Sequence, residues 1–117
     1  MNIEEFREYC LSKKGVTEET PFGPDTLVFK VVNKMFAATD IELFKRINLK
    51  CDPDKAVQLR EKFDDVIPGY HMNKKHWNTI LMNESIKNPL IFEWIDDSYD
   101  LVVSGLKKSE KELLSKL

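Results

Sequence analysis

Two strand-like stretches, Thr26–Val32 and Met35–Asp40, are separated by only Asn33-Lys34, and that spacing constrains the fold more than any other feature. A two-residue connection beginning with Asn suits a tight antiparallel hairpin. Pairing Val32 with Met35 predicts Leu27, Phe29, Val31, Phe36 and Ala38 on one core face, with Val28, Lys30, Val32, Met35, Ala37 and Thr39 opposite. Arg46–Cys51 continues the alternation, with Ile47, Leu49 and Cys51 inward and Arg46, Asn48 and Lys50 outward. Val16–Thr20 precedes the pair as a further strand.

Helical segments surround these strands. Asn2 followed by Glu5 forms a capping box before an Ile3, Phe6, Cys10 stripe, and Gly15 is the predicted terminator. Asp52-Pro53 gives a cap and a first-turn proline to a second helix with Ala56, Leu59 and Phe63 inward. Asn88-Pro89 opens the longest helix, whose stripe of Ile91, Ile95, Tyr99, Val102 and Leu106 is wide enough to cover a sheet. Its polar side, Glu93, Asp96, Asp97 and Asp100, is expected to be solvated. The tail from Lys107 is read as a short terminal helix carrying Leu113, Leu114 and Leu117.

Between the second and last helices, Pro68-Gly69 marks a turn, and Tyr70–Met72 and His76–Met82 are predicted to form a second hairpin around Asn73-Lys74-Lys75. The resulting order, α-β-β-β(-β)-α-β-β-α over a single domain of residues 1–117, implies a two-layer α+β fold. Its antiparallel sheet carries helices on one face.

Pro21-Phe22-Gly23, Val28-Phe29-Lys30-Val31, Lys34-Met35-Phe36-Ala37, the run from Val66 to Ile80 and Ser98-Tyr99-Asp100-Leu101-Val102 together resemble the signature of the MmcQ/YjbR family of small bacterial proteins. The resemblance covers nearly the whole chain. It implies a secretion-chaperone-like, YjbR-like fold and a DNA-binding role in which two hairpin tips form a double-wing arrangement. The tail departs from the family pattern: members close with Ser-Leu-Pro-Lys, whereas this chain reads Gly105-Leu106-Lys107-Lys108-Ser109. Without the proline, the last helix could run on.

The residues themselves supply a candidate interface. Lys34, Arg46, Lys50, Lys74 and Lys75 are the groups to position phosphate; Tyr70, His71, Asn73, His76, Trp77 and Asn78 would add stacking or hydrogen bonds. Trp77 has a second reading as a core residue, and that is the one preferred for it. Net charge is −2, yet residues 45–87 hold nine Lys/Arg against six Asp/Glu, a local +3 that leaves −5 elsewhere. A modest basic patch on an acidic body implies weak binding. The competing reading is a protein-interaction or small-ligand module using the same region, with Val28, Val32 and Met35.

Other chemistry has little support in the sequence. Four glycines show no phosphate-loop spacing, no nucleophile elbow is present, and His71 and His76 lack a neighbouring Cys or carboxylate at zinc-ligand spacing. The expectation is therefore a binding protein, not an enzyme, with no cofactor and no metal. Cys10 and Cys51 are expected to be reduced and packed. With no signal-peptide pattern and no apolar run of about 20 residues, a cytoplasmic protein without membrane association is expected, and a monomer.

Overall fold

The computed structural model describes residues 1–117, in the order α1 (Ile3–Leu11), β1 (Val16–Glu19), β2 (Thr26–Val31), β3 (Lys34–Asp40), β4 (Arg46–Lys50), α2 (Pro53–Lys62), β5 (Val66–Pro68), β6 (Trp77–Leu81), α3 (Asn88–Ser104) and α4 (Lys108–Ser115). All six strands form one antiparallel sheet, ordered β1-β2-β3-β4-β6-β5. The fold is α+β, as the order of elements predicts.

Local signals account for the helix starts. The Asn2 side chain accepts from Glu5 N–H at 2.8 Å while Glu5 accepts from Asn2 N–H at 3.2 Å, closing the box that satisfies two free donors. Asp52 caps α2 through Lys55 N–H, with Pro53 in its first turn. Gly15 does adopt a positive φ of 73°, but α1 ends earlier, at Leu11. The glycine serves the turn into β1 instead.

The first hairpin turns one residue earlier than its sequence suggests. Val31 pairs with Lys34, so Val32 and Asn33 are the central residues, with φ of 44° and 65°. Two positive φ values give the turn that matches strand twist, and a β-branched residue carries one of them at some cost in strain. A register shift follows between Phe29 and Lys30. This bulge allows Phe36 and Ala37 both to join the core, while Ala38 pairs with Val28 and lies on the other face. Ala38 is thus removed from the predicted core face and Ala37 added to it.

One hydrophobic cluster holds the layers together. Phe6 and Cys10 from α1, Phe29, Val31, Phe36, Ile47, Leu49 and Ile80 from the sheet, and Ile91, Trp94, Ile95 and Val102 from α3 all belong to it. Of the side chains read as core-facing in the sheet, Phe29, Val31, Phe36, Ile47 and Leu49 are buried, and Leu27 is half-buried. α3 breaks after Ser104, and α4 returns as a separate helix that buries Leu114 but leaves Leu113 and Leu117 exposed. Cys10 and Cys51 are both free and buried.

α3 is also tied to the rest by polar groups. Pairing between β3 and β4 stops at Ala37 with Leu49. Where the next rung would form, the buried Ser98 hydroxyl accepts from Lys50 N–H at 2.8 Å and donates to the Phe36 carbonyl at 2.6 Å. A helix side chain thereby replaces a strand-to-strand bond. The α3 carboxylates are not all solvated, either: Asp96 accepts from Tyr9 Oη at 2.7 Å and pairs with Lys13, and Asp97 pairs with Lys55 at 2.7 Å. Tyr99 Oη donates to the Lys14 carbonyl at 2.6 Å.

These contacts give the fold an alkaline limit. The bond to Asp96 pushes the Tyr9 phenol up to about 12; burial raises the Cys10 and Cys51 thiols and the Tyr99 phenol. Each group holds its proton more tightly when folded than when unfolded. The associated stability is complete below the unfolded values, about 8.5 for thiols and 10 for phenols, and is lost as pH rises through the folded values. Thermal melts should therefore show Tm falling from about pH 9 toward 12. A Tm that rises over this interval would contradict the assignment.

Candidate functional site

The strand directions bring three segments to one end of the sheet. β2 runs up to the Val32-Asn33 turn, β4 runs up to Lys50, and β5 runs up to Pro68 before the Gly69–His76 connection leads into β6. Residues 26–39, 45–51 and 66–83, which build this region, contain no Asp or Glu. Lys34, Lys50, Lys74 and Lys75 take part in none of the five ion pairs. The acidic side of α3 lies across the sheet on the helix layer.

The Gly69–His76 connection differs from the expected hairpin. Tyr70–Met72 is not a strand; the β6 partner is the upstream Val66–Pro68. Gly69 N–H donates to the Trp77 carbonyl at 2.9 Å as the last bond of this pairing, and Trp77 N–H donates to the Asn73 carbonyl at 3.0 Å. The Asn73 side chain accepts from Lys75 and His76 N–H groups, an Asx turn that reverses the chain. A side chain at position 69 would put Cβ only 2.8 Å from Trp77 Cβ. Glycine is required there by space.

Beyond Gly69 the chain folds back over the outer face of the sheet. Tyr70 N–H donates to Thr79 Oγ1 at 2.8 Å, and Thr79 in turn donates to Asn48 Oδ1. The Arg46 guanidinium lies 4.6 Å from the centre of the Tyr70 ring, and the centre of the His71 ring is 4.1 Å from that of Tyr70. His71 has a φ of 57°, the reversal that lets the loop lie down. Lys74 Nζ donates to the Gly69 carbonyl at 3.2 Å, while Arg60 from α2 donates to the Lys74 carbonyl. The row Val28, Ala38 and Thr79 on this face is buried.

Lys34, His71, Asn73, Lys74 and Lys75 are exposed, and Tyr70 is 50 % exposed. Arg46, Lys50, His76 and Trp77 are half-buried. Trp77 pairs across the strands with Lys50 on the outer face and is not part of the hydrophobic core, so the preferred core reading fails for it. Asn78 points the other way. It is buried under α2, accepting from Arg60 Nε at 2.7 Å and donating to the Ala56 carbonyl at 3.3 Å, and it has no access to a surface ligand. Lys34 stands apart from the rest, beside the first hairpin turn.

Three residues that organise this region were not anticipated: Arg60, Asn48 and Thr79. Thr79 and Asn48 are cross-strand partners and would follow from the β4–β6 pairing; no local pattern marks Arg60. On the helix side, Leu49, Leu59, Val66, Ile80 and Trp94 line an apolar cleft of about 20 Å³, room for one water. The Lys55–Asp97 pair stands at its mouth. No three His, Cys, Asp or Glu side chains gather as a metal-binding group, and no helix is long and apolar enough to cross a membrane.

Comparison with known proteins gives consistent matches. The family model described as YjbR matches residues 11–101. Uncharacterized protein YjbR of Escherichia coli K12 is 31 % identical over 118 residues, covering 100 % of both chains. Uncharacterized protein YbdF of Escherichia coli O157:H7 is 41 % identical over 93 residues, 79 % of this chain and 76 % of that one. Among solved structures, Deinococcus radiodurans protein DR2400, described as a DUF419 domain, superposes with a TM-score of 0.91 at 36 % identity, covering 97 % of this chain and 88 % of the other. A Pseudomonas syringae protein gives a TM-score of 0.73 at 32 % identity, covering 86 % and 98 %.

Proposed function

The chain belongs to the YjbR family, and on that footing we propose that it binds nucleic acid through the cationic end of its sheet. The observation that carries this reading is that Lys50, Lys74 and Lys75, with Lys34 apart from them at the first hairpin turn, are all unpaired and stand on segments free of carboxylates. Four ammonium groups left without counter-charges on a protein of net charge −2 favour a ligand carrying a series of negative charges. Phosphate contacts of this kind fix register without reading sequence. The role is one of binding, with no chemistry performed on the ligand.

Counterion release makes the reading quantitative. Four phosphate contacts on duplex DNA give a slope of log K against log salt of about −3 to −4. Replacing Lys34, Lys50, Lys74 or Lys75 singly by Ala should reduce the slope by about one each, while Lys107→Ala, beyond α3, leaves it unchanged. The changes at Lys34 and Lys75, which are exposed, should alter stability by no more than about 0.5 kcal/mol. The measurement is fluorescence anisotropy of a labelled oligonucleotide between low and physiological salt. Binding without a salt slope, or no binding at low salt, would overturn the reading and favour a protein partner for the same surface.

A further inference from the structure

We propose that the nucleic acid taken by this surface is single-stranded, with bases stacking on Trp77 along the outer sheet face. The inference rests on the nucleic-acid reading above and narrows its ligand. Gripping a duplex between two wings requires two projections from the sheet. Only one is present. Past the last β3–β4 pair, Ala37 with Leu49, the first hairpin runs on to Lys34, three residues or about 10 Å at the usual rise per residue, free on its β4 side while β1 stays paired with β2 as far as Val31. The Gly69–His76 connection is fastened down by Arg60 to the Lys74 carbonyl, by Lys74 to the Gly69 carbonyl and by Tyr70 N–H to Thr79.

What the folded-back loop leaves at the sheet surface is an aromatic group among cations. Trp77 is outside the core, partly in solvent, and makes no ring stacking or cation contact within the protein. Its strand neighbour on β5's side is Gly69, which has no side chain to cover it. On β4's side its partner is Lys50, close enough for a phosphate to be held beside a stacked base. The half-exposed Tyr70, with His71 against it, borders the same face. A sheet that offers an indole flanked by lysines matches the chemistry by which unpaired bases are bound with little sequence preference. Paired bases cannot offer their faces to it.

The test compares decamers of thymidylate and uridylate with a 20-base-pair duplex, all at one low salt concentration, on the full chain. Tryptophan emission and oligonucleotide anisotropy are both followed. Trp94 is buried in the core, so a ligand-dependent change in emission reports on Trp77. Tighter binding of a decamer than of the duplex is expected, with quenching that disappears in Trp77→Phe. Trp77→Ala should weaken decamer binding at least about 5-fold, the equivalent of one lost stacked base, without changing the salt slope. The two decamers distinguish deoxyribose from ribose ligands. Tighter duplex binding with unchanged emission would overturn the single-strand inference and leave the phosphate reading standing; no salt-dependent binding of either would remove both.

Discussion

Trp94→Ala is expected to destabilise the protein by about 3–5 kcal/mol, the cost of emptying a large aromatic site in a packed core. Trp94 is 5 % exposed, packs edge-on against Phe63 with ring centres 5.3 Å apart, and belongs to the central cluster. The surrounding α2, α3 and sheet cannot collapse into the space without separating from one another. Trp77→Ala, removing a half-buried ring from the outer face, should cost only about 1 kcal/mol. Urea unfolding of both variants measures the contrast through their midpoints at constant m. Equal losses, or a larger loss at Trp77, would mean that the outer face carries core packing after all.

The second large effect is expected at Ser98. Removing its hydroxyl with Ser98→Ala leaves Lys50 N–H and the Phe36 carbonyl without the partner that now serves both. Each orphaned buried group costs roughly 1–3 kcal/mol. Ser104→Ala is the matched control, because that exposed hydroxyl only bonds back to the Leu101 carbonyl of its own helix. Near-equal unfolding free energies for the two variants would show that β3 and β4 close directly when Ser98 no longer separates them.

The fold was readable from the sequence because its signals are local: the Asn2–Glu5 box, Asp52-Pro53, and the alternating strands all act within a few residues. The errors arise where a distant partner decides. Asn33 is a turn residue as expected, but in the second central position, and the bulge that restores Phe36 and Ala37 to the core depends on β2 and β3 together. Tyr70–Met72 has strand-like residues, yet Pro68-Gly69 ends β5 and the Tyr70–Thr79 bond draws the chain across the sheet. For the candidate site, lysines in turns are visible as such. Trp77 and Asn78 must face opposite ways in a strand, but which of them faces outward is fixed only by β6 pairing with β4, inserted between β4 and the earlier β5.

The Ser98 bridge gives the Lys50 amide an unusual timing role. In an ordinary strand, an amide near the end exchanges its hydrogen when the neighbouring strand frays. Here the Lys50 hydrogen is guarded by a side chain of α3, so its exchange clocks the departure of that helix from the sheet. The amide sits in the backbone of a lysine whose side chain belongs to the proposed contact surface. Exchange at this single position therefore listens to the inner layer of the protein from its outer one.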